Sequence, residues 1–175
     1  MVSVADNVMP AGAARPAARF RPWPHLLRAW LVIAIVDGLF ASALNIFAYH
    51  STFAQLWQRV ASTVIGPTAM QGGTRSVLIG LALHAAVALL WTTVFLALYM
   101  MWPMLRRVTR TWSGVIGTAV TYGAIVWLLM SFVVIPARSG RMPTIGTNWW
   151  VQLFGHIPFV ALPIVAMIAR PRANP

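Results

Sequence analysis

The chain has 175 residues, 59% of them apolar and 9% charged, and its 13 arginines (no lysine) against two carboxylates give a net charge of +11. A soluble domain carries nearer about 25% charged residues, so this surface cannot all face water and lipid must supply part of its solvation. The basic balance does not mark a nucleic-acid binder, since the arginines lie between apolar runs and form no single stripe; the absence of cysteine excludes disulfides, thiol catalysis and cysteine-ligated metals.

Residues 1–25 are rich in Ala, Pro and Arg, including Pro10, Arg15, Pro16, Arg19, Arg21, Pro22 and Pro24. Such a segment buries no core and is expected to be a disordered cytoplasmic tail. Residues 26–170 are expected to form one four-helix transmembrane domain, followed by a short cytoplasmic tail at 171–175. Within that domain four apolar runs, at about 29–50, 76–102, 112–136 and 147–169, each reach the roughly 20 residues that a bilayer requires. A secretory signal peptide competes for the first run, because Ala41-Ser42-Ala43 resembles a cleavage site. Asp37 in its centre and the apolar continuation through Ile46 and Phe47 argue for a membrane span instead.

The first connection is not a plain loop. Between Ser51 and Ile65, apolar residues recur at Phe53, Leu56, Trp57, Val60 and Val64, with Gln55, Gln58, Arg59 and Ser62 on the other face. That spacing predicts an amphipathic helix too short to span, lying at the outer interface as an anchor or as a lid over the bundle. Gly66-Pro67 should end it, and Met70-Gln71-Gly72-Gly73 should turn the chain into the second span.

Arginine placement sets the expected orientation. Nine arginines (Arg15, Arg19, Arg21, Arg28, Arg106, Arg107, Arg110, Arg170 and Arg172) fall on one side and four (Arg59, Arg75, Arg138 and Arg141) on the other. The positive-inside rule then puts both termini in the cytoplasm, and Trp102, Trp112, Trp149 and Trp150 sit near span ends as interfacial anchors.

Polar groups inside a membrane are costly and are functional candidates by default. Asp37 lies mid-span, where an ionised carboxylate costs roughly 2.5–3.5 kcal/mol on insertion scales. Ala34, Asp37, Ala41, Asn45 and Ala48 follow at steps of three and four, so they share a small, polar face that should turn into the bundle, away from Ile33, Leu39, Phe40 and Phe47. His84 and His156 each lie about 12–14 Å below the outer boundary at 1.5 Å per residue, so they can meet across the bundle, with Asp37 about one turn deeper. Gly80 and Gly155 beside them leave room for a ligand or for close packing. Two facing histidines can ligate a haem b iron axially, bind a metal with Asp37, or carry protons; the plainer alternative is two neutral imidazoles held by hydrogen bonds within the bundle. Asn45, Gln71 and Gln152 are supporting ligand or ion candidates.

In the fourth span Pro158 and Pro163 should free the carbonyls of Phe154 and Phe159, as in broken helices that line transporter sites. Gln152, His156, Phe159 and Pro163 share a face. The third span carries Ser113, Gly117 and Thr121, and Ala119 with Gly123, patterns that favour close helix contact within the bundle or between copies.

There is no phosphate-binding glycine motif, no GxSxG, no HExxH and no paired carboxylates, so the expectation leans away from an enzyme. The segments Gly66-Pro67-Thr68-Ala69-Met70-Gln71-Gly72-Gly73, Gly80-Leu81-Ala82-Leu83-His84 and Met130-Ser131-Phe132-Val133-Val134-Ile135-Pro136, with His156 and Pro163, give the chain a resemblance over about residues 30–170 to a group of small four-helix bacterial inner-membrane proteins with no established activity. That group more often carries Asn where this chain has Ser131. The resemblance implies topology and leaves function open.

The expected fold is therefore an all-α, polytopic bundle of four transmembrane helices plus one outer amphipathic helix. Three functions stay open: a membrane protein binding a small ligand, ion or partner through Asp37, His84 and His156 in its outer half; a haem-binding electron-transfer or accessory subunit; and a structural subunit or homo-oligomer in which the polar residues fix packing.

Overall fold

The computed structural model describes residues 22–140 and 142–169. Most of the two expected tails, residues 1–21 and 171–175, lies outside these. All regular structure among the described residues is helical: α1 (Pro22–Phe47), α2 (Phe53–Ile65), a 3₁₀ turn (Pro67–Gln71), α3 (Gly73–Met101), α4 (Pro103–Val108), α5 (Trp112–Ser139) and α6 (Thr147–Ala169). Four of them, α1, α3, α5 and α6, are long and apolar enough to cross a membrane.

The helices begin and end where local chemistry dictates. α1 starts at Pro22, seven residues before the expected Ala29, because prolines fit a first turn whose N–H groups have no intrahelical partner. α2 opens with a capping box: Thr52 Oγ1 accepts from the Gln55 N–H at 3.1 Å and Gln55 Oε1 accepts from the Thr52 N–H at 2.9 Å. It closes at Gly66, whose φ of 78° suits glycine. α5 and α6 each contain one π turn, Met130–Val134 and Ile157–Ala161, placed just before or around their prolines.

The core fills the end of the bundle away from α2. Leu26, Ala29 and Ile33 of α1 meet Phe95 and Leu96 of α3, Ala119 and Val126 of α5, and Ile164 and Val165 of α6. Hydrogen bonds tie the helices across this core: Trp30 Nε1 donates to the Ala85 carbonyl at 2.8 Å, and the Tyr122 hydroxyl to the Trp91 carbonyl at 2.6 Å. Gly123 brings α5 onto the backbone of α6, where a Cβ would lie 3.2 Å from the His156 carbonyl oxygen.

The inward face of α1 differs from the expected one by about one residue. Ile33 is buried, Phe40 stacks on Phe159 at 4.3 Å, and Ala48 is exposed beyond the helix end. Leu39 and Phe47 point outward as expected. The shift follows from packing: Ile33 has a greater apolar area to bury than Ala34, and the bundle takes it.

α2 lies against α3 and touches α1 and the last turn of α5. Its buried residues are Trp57, Gln58 and Ala61, whereas Phe53, Val64 and Ile65 remain exposed. Gln58, placed on the polar face by periodicity, is instead buried, with Nε2 donating to the Gly73 carbonyl at 3.4 Å.

Candidate functional site

Asp37, His84 and His156 come from three helices and line one partly open cavity of about 410 Å³. Its floor is the top of the core, formed by Ile33, Ala88, Val126 and Val160, and α2 covers it with Val60, Thr63 and Val64. The rise count put Asp37 one turn deeper than the histidines. The actual helix ends remove that difference: Asp37 is ten residues from Phe47, His84 eleven from Gly73 and His156 nine from Thr147.

Each histidine has a defined hydrogen-bond partner. His84 Nε2 lies 3.1 Å from the Ala34 carbonyl oxygen, so it carries the proton and donates, leaving Nδ1 to face Asp37 Oδ2 at 3.9 Å. That gap is too long for a direct hydrogen bond. Both side chains are mostly buried, 17% exposed for His84 and 18% for Asp37, so their interaction is only weakly screened. His156 Nδ1 lies 2.7 Å from the Gln152 carbonyl oxygen and donates to it, which leaves Nε2 as the ring's free lone pair. His84 Nε2 and His156 Nδ1 each carry a proton that a backbone carbonyl accepts.

A tryptophan packs on each imidazole. Trp57 of α2 meets His84 edge to face at 5.1 Å, and Trp127 of α5 lies 4.7 Å from His156. The glycines beside the histidines serve packing. At Gly80 a Cβ would lie 2.0 Å from the Trp57 carbonyl oxygen, and at Gly155 it would lie 2.4 Å from the Phe40 ring. Gly38 also lies close to His84. Trp57 is 2% exposed, so α2 is wedged into the bundle rather than resting on it.

The supporting candidates do not reach the cavity. Asn45 is buried with its Oδ1 unpartnered, Gln71 is exposed at the end of the 3₁₀ turn, and Gln152 acts through its backbone carbonyl. The Phe154 carbonyl that Pro158 leaves without its usual partner accepts the Ile157 N–H, so the kink presents no bare oxygen there. Among the described residues no three of His, Cys, Asp and Glu stand close enough to hold a metal ion. Two axial histidines for haem would require His84 to release the Ala34 carbonyl or to ligate through the nitrogen facing Asp37.

In the sequence Arg138 reads only as a topology marker and Trp127 stands out in no pattern. Both line the cavity, together with Met130 and Val134. The four recur at steps of three and four along α5, a face legible in the sequence had the run not been uniformly apolar.

Below the core a second, open groove of about 600 Å³ runs between α3, α4 and α5. Ser113, Gly117 and Thr121 are exposed beside it, and nothing lies within 4 Å of a Cβ added to Gly117. Of the two small-residue patterns in this helix, Ala119 and Gly123 are used inside the bundle and the other is not.

Fold and site together define an all-helical protein with four helices fit to span a membrane and a polar trio on a cavity between them. No known family model, curated protein or solved structure matches the chain.

Proposed function

We propose that the chain is a multi-pass protein of a bacterial inner membrane that binds a small ligand in the cavity beneath α2. In this reading both termini are cytoplasmic and α2 lies at the outer interface. The convergence of Asp37, His84 and His156 on one cavity carries the proposal. Mid-membrane polar groups are costly, and a pure packing role is served more cheaply by direct hydrogen bonds in a closed interior. Here Asp37 and His84 stop at 3.9 Å and a cavity remains beside them.

Other observations support the membrane setting. Only 22–33% of each spanning window is buried inside the protein, so the remaining apolar surface needs lipid as solvent. The distribution of arginine supports the orientation.

A ligand that binds only the folded state raises stability by mass action. Protein purified in mild detergent should therefore lose thermal stability when exhaustively stripped with fresh detergent, and Val134→Trp, which fills the cavity from its wall, should melt at one temperature before and after stripping. Equal losses in both proteins would count against a ligand in this cavity.

One observation favours a second reading, a structural subunit or homo-oligomer: the open face at Ser113, Gly117 and Thr121, which suits a close-packed helix from outside the bundle.

A further inference from the structure

Resting on the ligand-binding reading above, we propose that the ligand is an anionic amphiphile, an aliphatic chain ending in a carboxylate or phosphate, with its charge on Arg138 and its chain in the cavity.

The charge balance of the cavity leads to this class. Its ionisable groups are Asp37, His84, His156 and Arg138. Asp37 has His84 beside it at 3.9 Å, and His156 is held by the Gln152 carbonyl. Arg138 makes no ion pair or hydrogen bond with any described residue, and its guanidinium has no protonation state in which it is neutral. Arg59 and Arg75, the other described arginines of this end, do not line the cavity. A planar guanidinium at the rim of an apolar cavity is matched best by a bidentate carboxylate or phosphate, and such charge-assisted bonds are roughly twice as strong as neutral ones.

The shape of the cavity accounts for the rest of the molecule. Eleven of its eighteen lining residues are aliphatic or Met. Along α5 the lining runs from Val126 to Arg138, about 18 Å at 1.5 Å per residue, and along α3 from Leu83 to Trp91, about 12 Å. The space is therefore elongated along the helix axes, with the Arg138 guanidinium at the α2 end. His84 Nε2 and His156 Nδ1 are already bonded to backbone carbonyls, so an alkyl chain passing the two imidazoles breaks neither bond. Head at the interface and chain toward the membrane centre is also the orientation the bilayer imposes on such a molecule.

Binding of radiolabelled palmitate to the detergent-purified full chain tests this, with hexadecanol as the uncharged competitor and dioleoyl phosphatidylglycerol as the lipid competitor. Saturable palmitate binding should weaken at least about tenfold in Arg138→Gln, an exposed position whose change leaves the fold intact, and hexadecanol should compete at least about tenfold less well than unlabelled palmitate; a tenfold change corresponds to about 1.4 kcal/mol. Competition by phosphatidylglycerol assigns the anion to a lipid headgroup, and its failure to compete assigns it to a free carboxylate; both outcomes support the proposal. Hexadecanol competing as well as palmitate, with Arg138→Gln silent and Val64→Trp abolishing binding, would overturn the anion while leaving a ligand in the cavity. Palmitate binding that survives Val64→Trp unchanged, or no saturable binding at all, would overturn the proposal, and the stripping experiment then judges the broader reading separately.

Discussion

His84 Nδ1 faces Asp37 Oδ2 at 3.9 Å while its Nε2 donates to the Ala34 carbonyl on the same helix as Asp37. One imidazole thus binds α3 to α1 and leaves its second nitrogen beside the one carboxylate among the described residues. The pair should be energetically coupled without being a tight hydrogen bond. A double-mutant cycle with Asp37→Asn and His84→Gln, read by unfolding in mixed detergent micelles, should give a coupling of about 1 kcal/mol, whereas strict additivity would show that the two groups ignore each other.

The seating of α2 depends on Gly80. Any Cβ there meets the Trp57 backbone carbonyl, which cannot swing aside as a side chain can. Gly80→Val should cost about 1–3 kcal/mol and expose α2 to proteolysis at its flanking glycines. Gly117→Ala in α5, with open space around it, should be neutral or stabilising by up to about 1 kcal/mol. Similar losses from the two changes would mean that α2 is not wedged against α3.

The π turn of α5 holds a buried hydrogen bond. Trp149 Nε1 donates to Ser131 Oγ at 2.7 Å, joining the start of α6 to α5. Ser131→Ala leaves a buried indole N–H unpaired and should destabilise by about 1–3 kcal/mol, while Thr121→Ala, on the exposed face, should change little. Thermal unfolding of the two variants side by side checks the difference.

Orientation can be tested cleanly because the chain has no cysteine of its own. In intact cells a membrane-impermeant maleimide should label Arg59→Cys on α2 and should label Arg107→Cys in α4 only after the cells are opened. The reverse pattern would invert the proposed topology.

Much of the fold was legible because runs of about twenty apolar residues, long enough to cross a bilayer, mark helices coarsely and strongly. α3, α5 and α6 fall close to their expected limits, α1 begins seven residues early, and α2 forms where its amphipathic spacing places a short helix. Which face of a uniformly apolar helix turns inward is less legible, since no polar contrast marks it. Periodicity therefore points Ile33 outward and puts Gln58 on the polar side, where the structure buries both, and it does not mark Trp127, Met130, Val134 and Arg138 as one wall. At the site, depth predicts that His84 and His156 meet with Asp37 about one turn deeper, and Asp37 lies level with them because α1 ends at Phe47. Asn45 and Gln152 share helix faces with Asp37 and His156, and Gln71 precedes α3, yet local structure takes them elsewhere: a buried contact of α1, a backbone bond and an exposed turn.

The central claim is that the cavity lined by Asp37, His84 and His156 holds a molecule. Native mass spectrometry of the chain released from mild detergent micelles tests this most directly, beside Val64→Trp and Val134→Trp, which narrow the cavity from α2 and from α5. The account predicts one adduct of defined mass per wild-type chain and none on either variant. A wild-type chain of bare mass, or an adduct that persists on both variants, would contradict it.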